Sequence, residues 1–129
     1  MESRRTEREW EIAARGGHET SAIHAESSSL DASAWFGENA DDQPHPVGGK
    51  RGNGYELHDM LGNVAEWCRV DGSVAALDRP IRGGCFRSSR TEIGPSVRSE
   101  RPSTYRGIDV GFRVRFPMTN ARGADHADE

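Results

Sequence analysis

The chain has 129 residues with 33% apolar residues, 7% aromatic residues and 15 glycines, a composition that predicts one loop-rich domain with short helices and strands. Its net charge of −4 comes from interspersed acidic and basic residues, so no charged field favours nucleic acid or anionic lipid as a partner. No apolar run is long enough for a membrane span or a signal peptide, and the chain as given is therefore expected to be cytoplasmic, with no membrane partner.

The first predicted element is a helix in "TEREWEIAARGG", residues 6–17. Thr6 and Glu9 have the spacing of a reciprocal capping box, in which each side chain bonds the other residue's backbone N–H. Trp10 and the alanines three and four positions later fall on one face of the helix. Gly16-Gly17 supplies the left-handed stop, so we expect a helix of about nine residues.

The middle of the chain reads as loops and turns. Residues 18–33 are polar and Ser-rich without a period, which predicts a surface loop. Residues 40–55, "ADDQPHPVGGKRGNGY", are dense in Gly, Pro, Asn and Asp and predict a chain of turns. Trp67 is expected to pack in the core.

Short strands are predicted in the second half of the chain. The expected segments are Glu66–Val70, Pro80–Phe86 and Gly111–Phe116. The last segment alternates apolar residues with arginine and is the clearest of these patterns. After Pro117 there is little apolar anchoring, so we expect one domain over residues 1–117 and a disordered tail over 118–129.

Five stretches carry a resemblance to a known family. In chain order they are "TEREWEIAARGG", "AWFGEN", "HPVGGKRGNGYELHDMLGNVAEWC", "RPIRGGCF" and "GIDVGFRVRF". Together they resemble the formylglycine-generating enzyme (FGE) family, also called sulfatase-modifying factors. The resemblance implies an α+β fold related to C-type lectins, with little regular secondary structure.

The resemblance covers only the C-terminal half of the usual family domain. The segment that normally precedes the first stretch supplies several strands and a helix in the family. We therefore expect the chain to be a fragment, a truncated product or a half that pairs with another polypeptide. A second copy of the chain is an alternative partner, because an incomplete domain leaves apolar faces uncovered.

The stretch "ELHDMLGNVAEWC", residues 56–68, is a candidate calcium loop. Calcium takes about six to eight oxygens, which Asp59, Glu66 and the main-chain carbonyls of Gly62 and Val64 could help to supply. The matching positions resemble the calcium loop of the family, where the ion would be structural. In the alternative reading, the Gly-Asn pair is only a turn, Asp59 caps local N–H groups and Glu66 pairs with an arginine.

The resemblance also identifies where copper chemistry would lie. Oxidising members of the family hold Cu(I) with two cysteines in a C-x4-C interval after their "RGGS" block, because Cu(I) prefers thiolates. Here those positions are Ser88 and Ile93, so copper is not expected. Cys85 lies three residues earlier and would face the opposite side on an extended strand. With Cys68 it forms either a redox or disulfide pair or two buried thiols.

Histidines do not supply a metal site in the sequence. His18, His24 and Glu26 differ in spacing from the H-x3-H-x-E iron motif of related domains and lie in the predicted loop. His45 and His58 are each isolated, and we expect them to be solvated or to cap nearby backbone groups.

Arginines are the remaining candidate binding residues. Arg82 and Arg98, with Arg106 and Arg113, would surround the family's cleft, where guanidinium groups favour peptides or anions. The candidate cleft residues are Arg82, Cys85, Ser88 and Arg98. In the alternative reading these arginines pair with surface acids.

Two functions from different classes follow from the sequence. The first is a non-catalytic, calcium-stabilised module of FGE type that binds a peptide or a protein. The second is an FGE-like oxidoreductase that converts a protein cysteine to formylglycine or acts on another thiol.

Overall fold

The structure is a computed structural model that describes residues 4–17, 27–70 and 78–114. The predicted tail and the residues between these ranges lie outside the described part. The elements in chain order are helices α1 (Glu7–Arg15) and α2 (Ser27–Ser33), strands β1 (Ala65–Trp67) and β2 (Asp78–Arg82), a 3-10 turn (Arg90–Glu92), and strands β3 (Arg98–Pro102) and β4 (Val110–Gly111). This is an α+β fold, as predicted, in which loops make up most of the described residues.

Helix α1 confirms the predicted helix and its capping box. The Thr6 hydroxyl accepts from the Glu9 N–H at 3.2 Å, and the Glu9 carboxylate accepts from the Thr6 N–H at 3.0 Å. Gly16 ends the helix at a left-handed φ of 59°. Trp10 is 1% exposed, and the two alanines on its face are also buried, so α1 docks through the predicted face.

The four strands form one mixed sheet in the order β3-β2-β1-β4. Strand β2 is antiparallel to both β1 and β3, whereas β4 runs parallel to β1. Glu66 and Arg82 are cross-strand partners on the sheet face that meets α1. Because side chains alternate along a strand, Ala65 and Ile81 point to the opposite face.

The core lies between the two helices, the loops and one face of the sheet. Its members are buried side chains contributed by every part of the described chain: Trp10, Ala13, Ala14, Leu30, Ala34, Phe36, Leu57, Met60, Leu61, Cys68 and Ile93. Full burial of a large apolar side chain contributes roughly 1.5–3 kcal/mol. Within the described residues, neither helix has the length and apolar character needed to cross a membrane.

The predicted loop over residues 18–33 is wrong at its C-terminal end. Ser27–Ser33 is helix α2, and Leu30 in its middle is only 1% exposed. The serines give little helix propensity, so burial of one leucine against the core decides the local structure. The remaining residues of that predicted loop, 18–26, lie outside the described ranges.

The described residues form four strands where the sequence predicted three, and the bounds differ from the predicted ones. Strand β1 begins one residue early and is short, and β2 ends at Arg82 because Gly83 and Gly84 adopt φ values of 101° and 72°. Strand β3 was not predicted, because it is an exposed, charged edge strand without an apolar period.

The C-terminal strand prediction was too long. Strand β4 covers only Val110–Gly111, and Phe112 is 67% exposed instead of packing inward. Val114 makes an isolated bridge to Arg4. The predicted core position of Trp67 is also wrong: this side chain is half-buried, and the fully buried indole in this region belongs to Trp10.

Candidate functional site

One candidate site is a cleft of about 410 Å³ on the sheet face opposite α1, which we call the arginine cleft. Its wall is built by β2, β3 and the turns that join them. The lining residues are Ala65, Ile81, Gly83, Gly84, Cys85, Arg87, Ser88, Glu92, Val97, Arg98, Ser99, Arg101 and Asp109. Three of them are arginines, of which Arg87 and Arg98 pair with carboxylates, whereas Arg101 has no carboxylate partner among the described residues.

Two of the four predicted cleft residues, Cys85 and Ser88, meet here, and Arg98 also lines the cleft although its guanidinium pairs with Glu7 of α1. Arg82 does not line the cleft. Because of strand alternation its side chain lies on the α1 face, where it is 5% exposed and pairs with Glu7 at 3.4 Å and Glu11 at 2.5 Å. Arg82 therefore fastens α1 to the sheet instead of meeting a ligand in the cleft.

A tight turn places Cys85 in the cleft wall. The Ser88 hydroxyl accepts from the Cys85 N–H at 2.9 Å, and the Ser88 N–H donates to the Cys85 carbonyl at 3.0 Å. The Cys85 Sγ accepts from the Arg87 N–H at 3.4 Å and lies 3.8 Å from the Ser88 hydroxyl. The expectation that Cys85 faces away from Ser88 is wrong, because it assumed an extended strand where the chain turns.

The side chains at the family's copper positions do not fit Cu(I). Ile93 is a hydrocarbon that is 5% exposed in the core, and it packs so closely on Gly84 that a Cβ there would lie 2.6 Å from its Cδ1. Ser88 offers a hydroxyl that is already bonded to Cys85. Only one thiol therefore faces this region, whereas Cu(I) favours a pair of soft sulfur ligands.

Cys68 does not supply the second thiol. It is 1% exposed in the core, and both cysteines are free in the structure. Burial, together with the nearby negative charge of Glu66, raises the pKa of Cys68 to about 12. Its thiol is thus protonated and shielded at neutral pH.

The cleft arginines differ in how fully their charges are paired. Arg98 pairs with Glu7 at 2.8 Å and Glu100 at 3.2 Å, and the bond to Glu7 is the main reason that its pKa is raised. Arg87 pairs with Asp42 at 3.0 Å.

Arg101 instead bonds the Ser99 hydroxyl and the Glu100 carbonyl, each at 2.9 Å. In the part of the chain that the structure describes, it has no carboxylate partner. Sequence reasoning missed Arg101, because the strand that carries it has no apolar pattern.

The candidate calcium residues line a second pocket of about 320 Å³, which we call the Asp59 pocket. Its lining residues are Val47, Gly48, His58, Asp59, Asn63, Val64, Glu66, Phe112 and Arg113. Three of the four predicted ligands are therefore close together. Gly62 does not line the pocket: its N–H donates to the Gly83 carbonyl at 2.8 Å, and its φ is 77°.

Glu66 is already neutralised by a protein cation. Its Oε2 accepts from Arg113 at 2.8 Å, and its Oε1 accepts from Arg113 at 3.1 Å and from the Trp10 indole N–H at 3.0 Å. This arrangement does not fit the oxygen-rich, negatively charged set that calcium requires. Calcium binding at this loop stays a prediction from the sequence alone, which the side-chain chemistry of the loop does not favour.

The histidines give no further metal site in the described ranges. His18, His24 and Glu26 lie outside those ranges. Among the residues that are described, no group of three or more His, Cys, Asp or Glu side chains could hold a metal ion. His45 stacks on Trp35 with ring centroids 3.8 Å apart, and His58 bonds the Lys50 carbonyl at 2.8 Å.

Comparison with known proteins agrees with the fold and the motifs. The model of the FGE-sulfatase family, described as a sulfatase-modifying factor enzyme 1-like domain, matches residues 3–116. Among curated proteins, the chaperone protein LppX of Paenibacillus barcinonensis is 33% identical over 128 residues, covering 82% of this chain and 46% of LppX. The serine/threonine-protein kinase pkn1 of Chlamydia caviae is 31% identical, covering 84% of this chain and 20% of the kinase.

Solved structures show the same relationship. Treponema denticola variable protein 1 matches with a TM-score of 0.74 and 32% identity, over 84% of this chain and 45% of that protein. PvdO from Pseudomonas aeruginosa matches with a TM-score of 0.69, over 84% of this chain and 50% of PvdO; at 23% identity it supports the fold alone. The chain thus spans less than half the length of the curated relatives that it matches. Because the family model matches residues 3–116, the chain belongs to the FGE-sulfatase, or sulfatase-modifying factor enzyme 1-like, domain family.

Proposed function

We propose that this domain is a non-catalytic member of its family that binds an extended peptide or protein segment in the arginine cleft. One combined observation carries the proposal. The cleft is open, and the two copper positions of the family hold the hydroxyl of Ser88 and the buried hydrocarbon of Ile93. Such a cleft keeps a binding surface but lacks the paired thiolates of the oxidising members. Calcium is not part of the proposal, because Arg113 already neutralises Glu66.

The shape and charge of the cleft favour an extended segment that carries an acidic group. Strand β3 lies at one edge of the sheet, and an edge strand offers backbone N–H and C=O groups to an added strand. Arg101 on this strand faces the cleft without a carboxylate partner among the described residues. A carboxylate on the ligand would supply that partner through a planar bidentate pair.

One relative supports a protein-binding role. LppX, which matches 82% of this chain, is named a chaperone protein. Because the chain spans under half of LppX, the occupant could be a segment from outside the present sequence or a second copy of the chain. The molecular mass in solution, measured by light scattering, separates these two partners, since self-binding doubles the mass.

The test uses a positional-scanning library of blocked heptapeptides, with binding measured by fluorescence polarisation. We expect pools with a fixed Asp or Glu to bind best and Arg101→Gln to lose that preference. Arg106→Gln is the matched control, because Arg106 contacts main-chain carbonyls as Arg101 does but does not line the cleft. Equal binding of all pools, or equal loss in both variants, would refute the proposal.

Thiol chemistry is the second candidate function, and one observation favours it. Cys85 is half-buried in the wall of an open cleft, with a main-chain N–H directed at its sulfur. The corresponding test is conversion of a Cys-x-Pro-x-Arg peptide by the purified chain with Cu(I) and oxygen. Formation of formylglycine that depends on Cys85 would replace the binding role with an oxidoreductase.

A further inference from the structure

Asp59 is a buried carboxylate with an uncompensated charge. It is 5% exposed, and its Oδ2 accepts from the Gly48 N–H at 2.7 Å. Its Oδ1 is buried without a hydrogen-bond partner, and in the described part of the chain no basic side chain forms an ion pair with it. Burial of a charged group without a partner is costly, so an oxygen left in this state points to a water, an ion or a ligand group as its missing partner.

The pocket above Asp59 has an apolar rim. Val47 and Phe112 line it and are 83% and 67% exposed, large values for apolar side chains. An acidic floor below an apolar rim matches a side chain that combines an alkyl stem with a cationic head. The pocket volume of about 320 Å³ is sufficient for such a side chain.

The charges of the pocket favour a monovalent cation. Arg113 neutralises Glu66, so the charge that remains unpaired is that of Asp59. One ammonium group balances this charge, whereas a divalent ion would leave excess positive charge beside the guanidinium of Arg113. Asp59 has one carboxylate oxygen without a hydrogen-bond partner, and a single acceptor suits a compact ammonium better than a guanidinium, whose geometry favours two oxygens.

We propose that the Asp59 pocket binds the side chain of a lysine on a protein partner, with the ammonium at the Asp59 carboxylate and the stem between Val47 and Phe112. This site goes beyond the proposed function, because the Asp59 pocket and the arginine cleft share no lining residue. Either site can therefore fail experimentally without the other.

The probe is Nα-acetyl-lysine N-methylamide, titrated into the 15N-labelled chain in the presence of EDTA. We expect saturable shifts of the Gly48, Asp59 and Phe112 amide signals. The norleucine analogue keeps the stem without the ammonium, and we expect it to bind about tenfold more weakly or worse. Shifts of equal size and midpoint for the two probes would overturn the proposal.

Asp59→Asn is the decisive variant, and Asp41→Asn is its matched control. Both residues have left-handed φ values, 59° and 61°, which asparagine tolerates, and Asp41 is exposed outside the pocket. We expect Asp59→Asn to weaken lysine binding at least about tenfold and Asp41→Asn to leave it unchanged.

Three results would contradict the assignment: unchanged binding in Asp59→Asn, equal loss in both variants, or shifts of these amides with CaCl2 but not with the lysine probe. If Asp59→Asn does not fold, the comparison of the lysine and norleucine probes on the unaltered chain decides the question.

Discussion

Replacing Arg113 by glutamine tests how much the buried ion pair with Glu66 stabilises the fold. The Arg113 and Glu66 side chains are 17% and 6% exposed, and the guanidinium also donates to the His58 carbonyl at 2.7 Å. The substitution leaves Glu66 buried with only the Trp10 indole as a donor. Removing one partner of a buried pair costs about 3–5 kcal/mol, and we expect a loss of that size in the free energy of unfolding.

Urea unfolding monitored by tryptophan fluorescence measures the loss, with Arg98→Gln as the matched control. Arg98 pairs with Glu7 at side-chain exposures of 46% and 31%, so the same substitution there is expected to cost about 0–1 kcal/mol. Adding Glu66→Gln to Arg113→Gln should recover part of the loss, since the unpaired charge is removed. Equal effects of the two arginine substitutions, or no recovery in the double variant, would refute the reasoning.

Three further predictions concern the loop, the thiols and calcium. In urea unfolding, Gly62→Ala should lower the free energy of unfolding well beyond Gly48→Ala. Both glycines have a left-handed φ, which costs alanine about 1–2 kcal/mol. At Gly62 the added Cβ would also lie 2.3 Å from the Trp35 carbonyl oxygen, whereas at Gly48 it would meet no atom within 4 Å.

Iodoacetamide at pH 8 should label Cys85 and not Cys68 in the native chain, as read by mass spectrometry. Burial raises the pKa of Cys68 to about 12, so the native thiol is protonated at pH 8. The stability linked to this protonation is fully present below the pKa of the unfolded thiol and is lost as pH rises through the folded pKa. Labelling of both cysteines at equal rates would contradict this prediction. Adding CaCl2 to the EDTA-treated chain should leave the melting temperature unchanged, because Glu66 already has a protein counter-charge; a concentration-dependent rise would restore the calcium loop.

Local sequence signals predicted the parts of the fold that short-range contacts determine. The capping box of Thr6 and Glu9 and the glycine stop at Gly16 act within a few residues, and α1 has the predicted length. The family resemblance added the α+β fold class, which no local period indicates, but not helix α2 or strand β3.

Long-range packing decides the parts that could not be predicted. Helix α2 depends on burial of Leu30, and β3 is stabilised by pairing with β2 without an apolar pattern of its own. The same holds for the sites, because Arg113 reaches Glu66 across 47 positions of the chain. The sequence allowed an arginine as the partner of Glu66 and a backbone N–H as the partner of Asp59, and the structure has both, but the sequence did not identify Arg113 or Gly48 as those partners.

The most direct test of the central claim is a Cu(I) titration of the reduced chain against a chromophoric Cu(I) chelator, under conditions that keep both cysteines as thiols. With Ser88 and Ile93 in place of the paired thiols, and Cys68 buried, we predict no competition with the chelator. Stoichiometric transfer of Cu(I) to the chain, lost in Cys85→Ser, would contradict the claim that this domain has lost its soft-metal site and retains only a binding cleft.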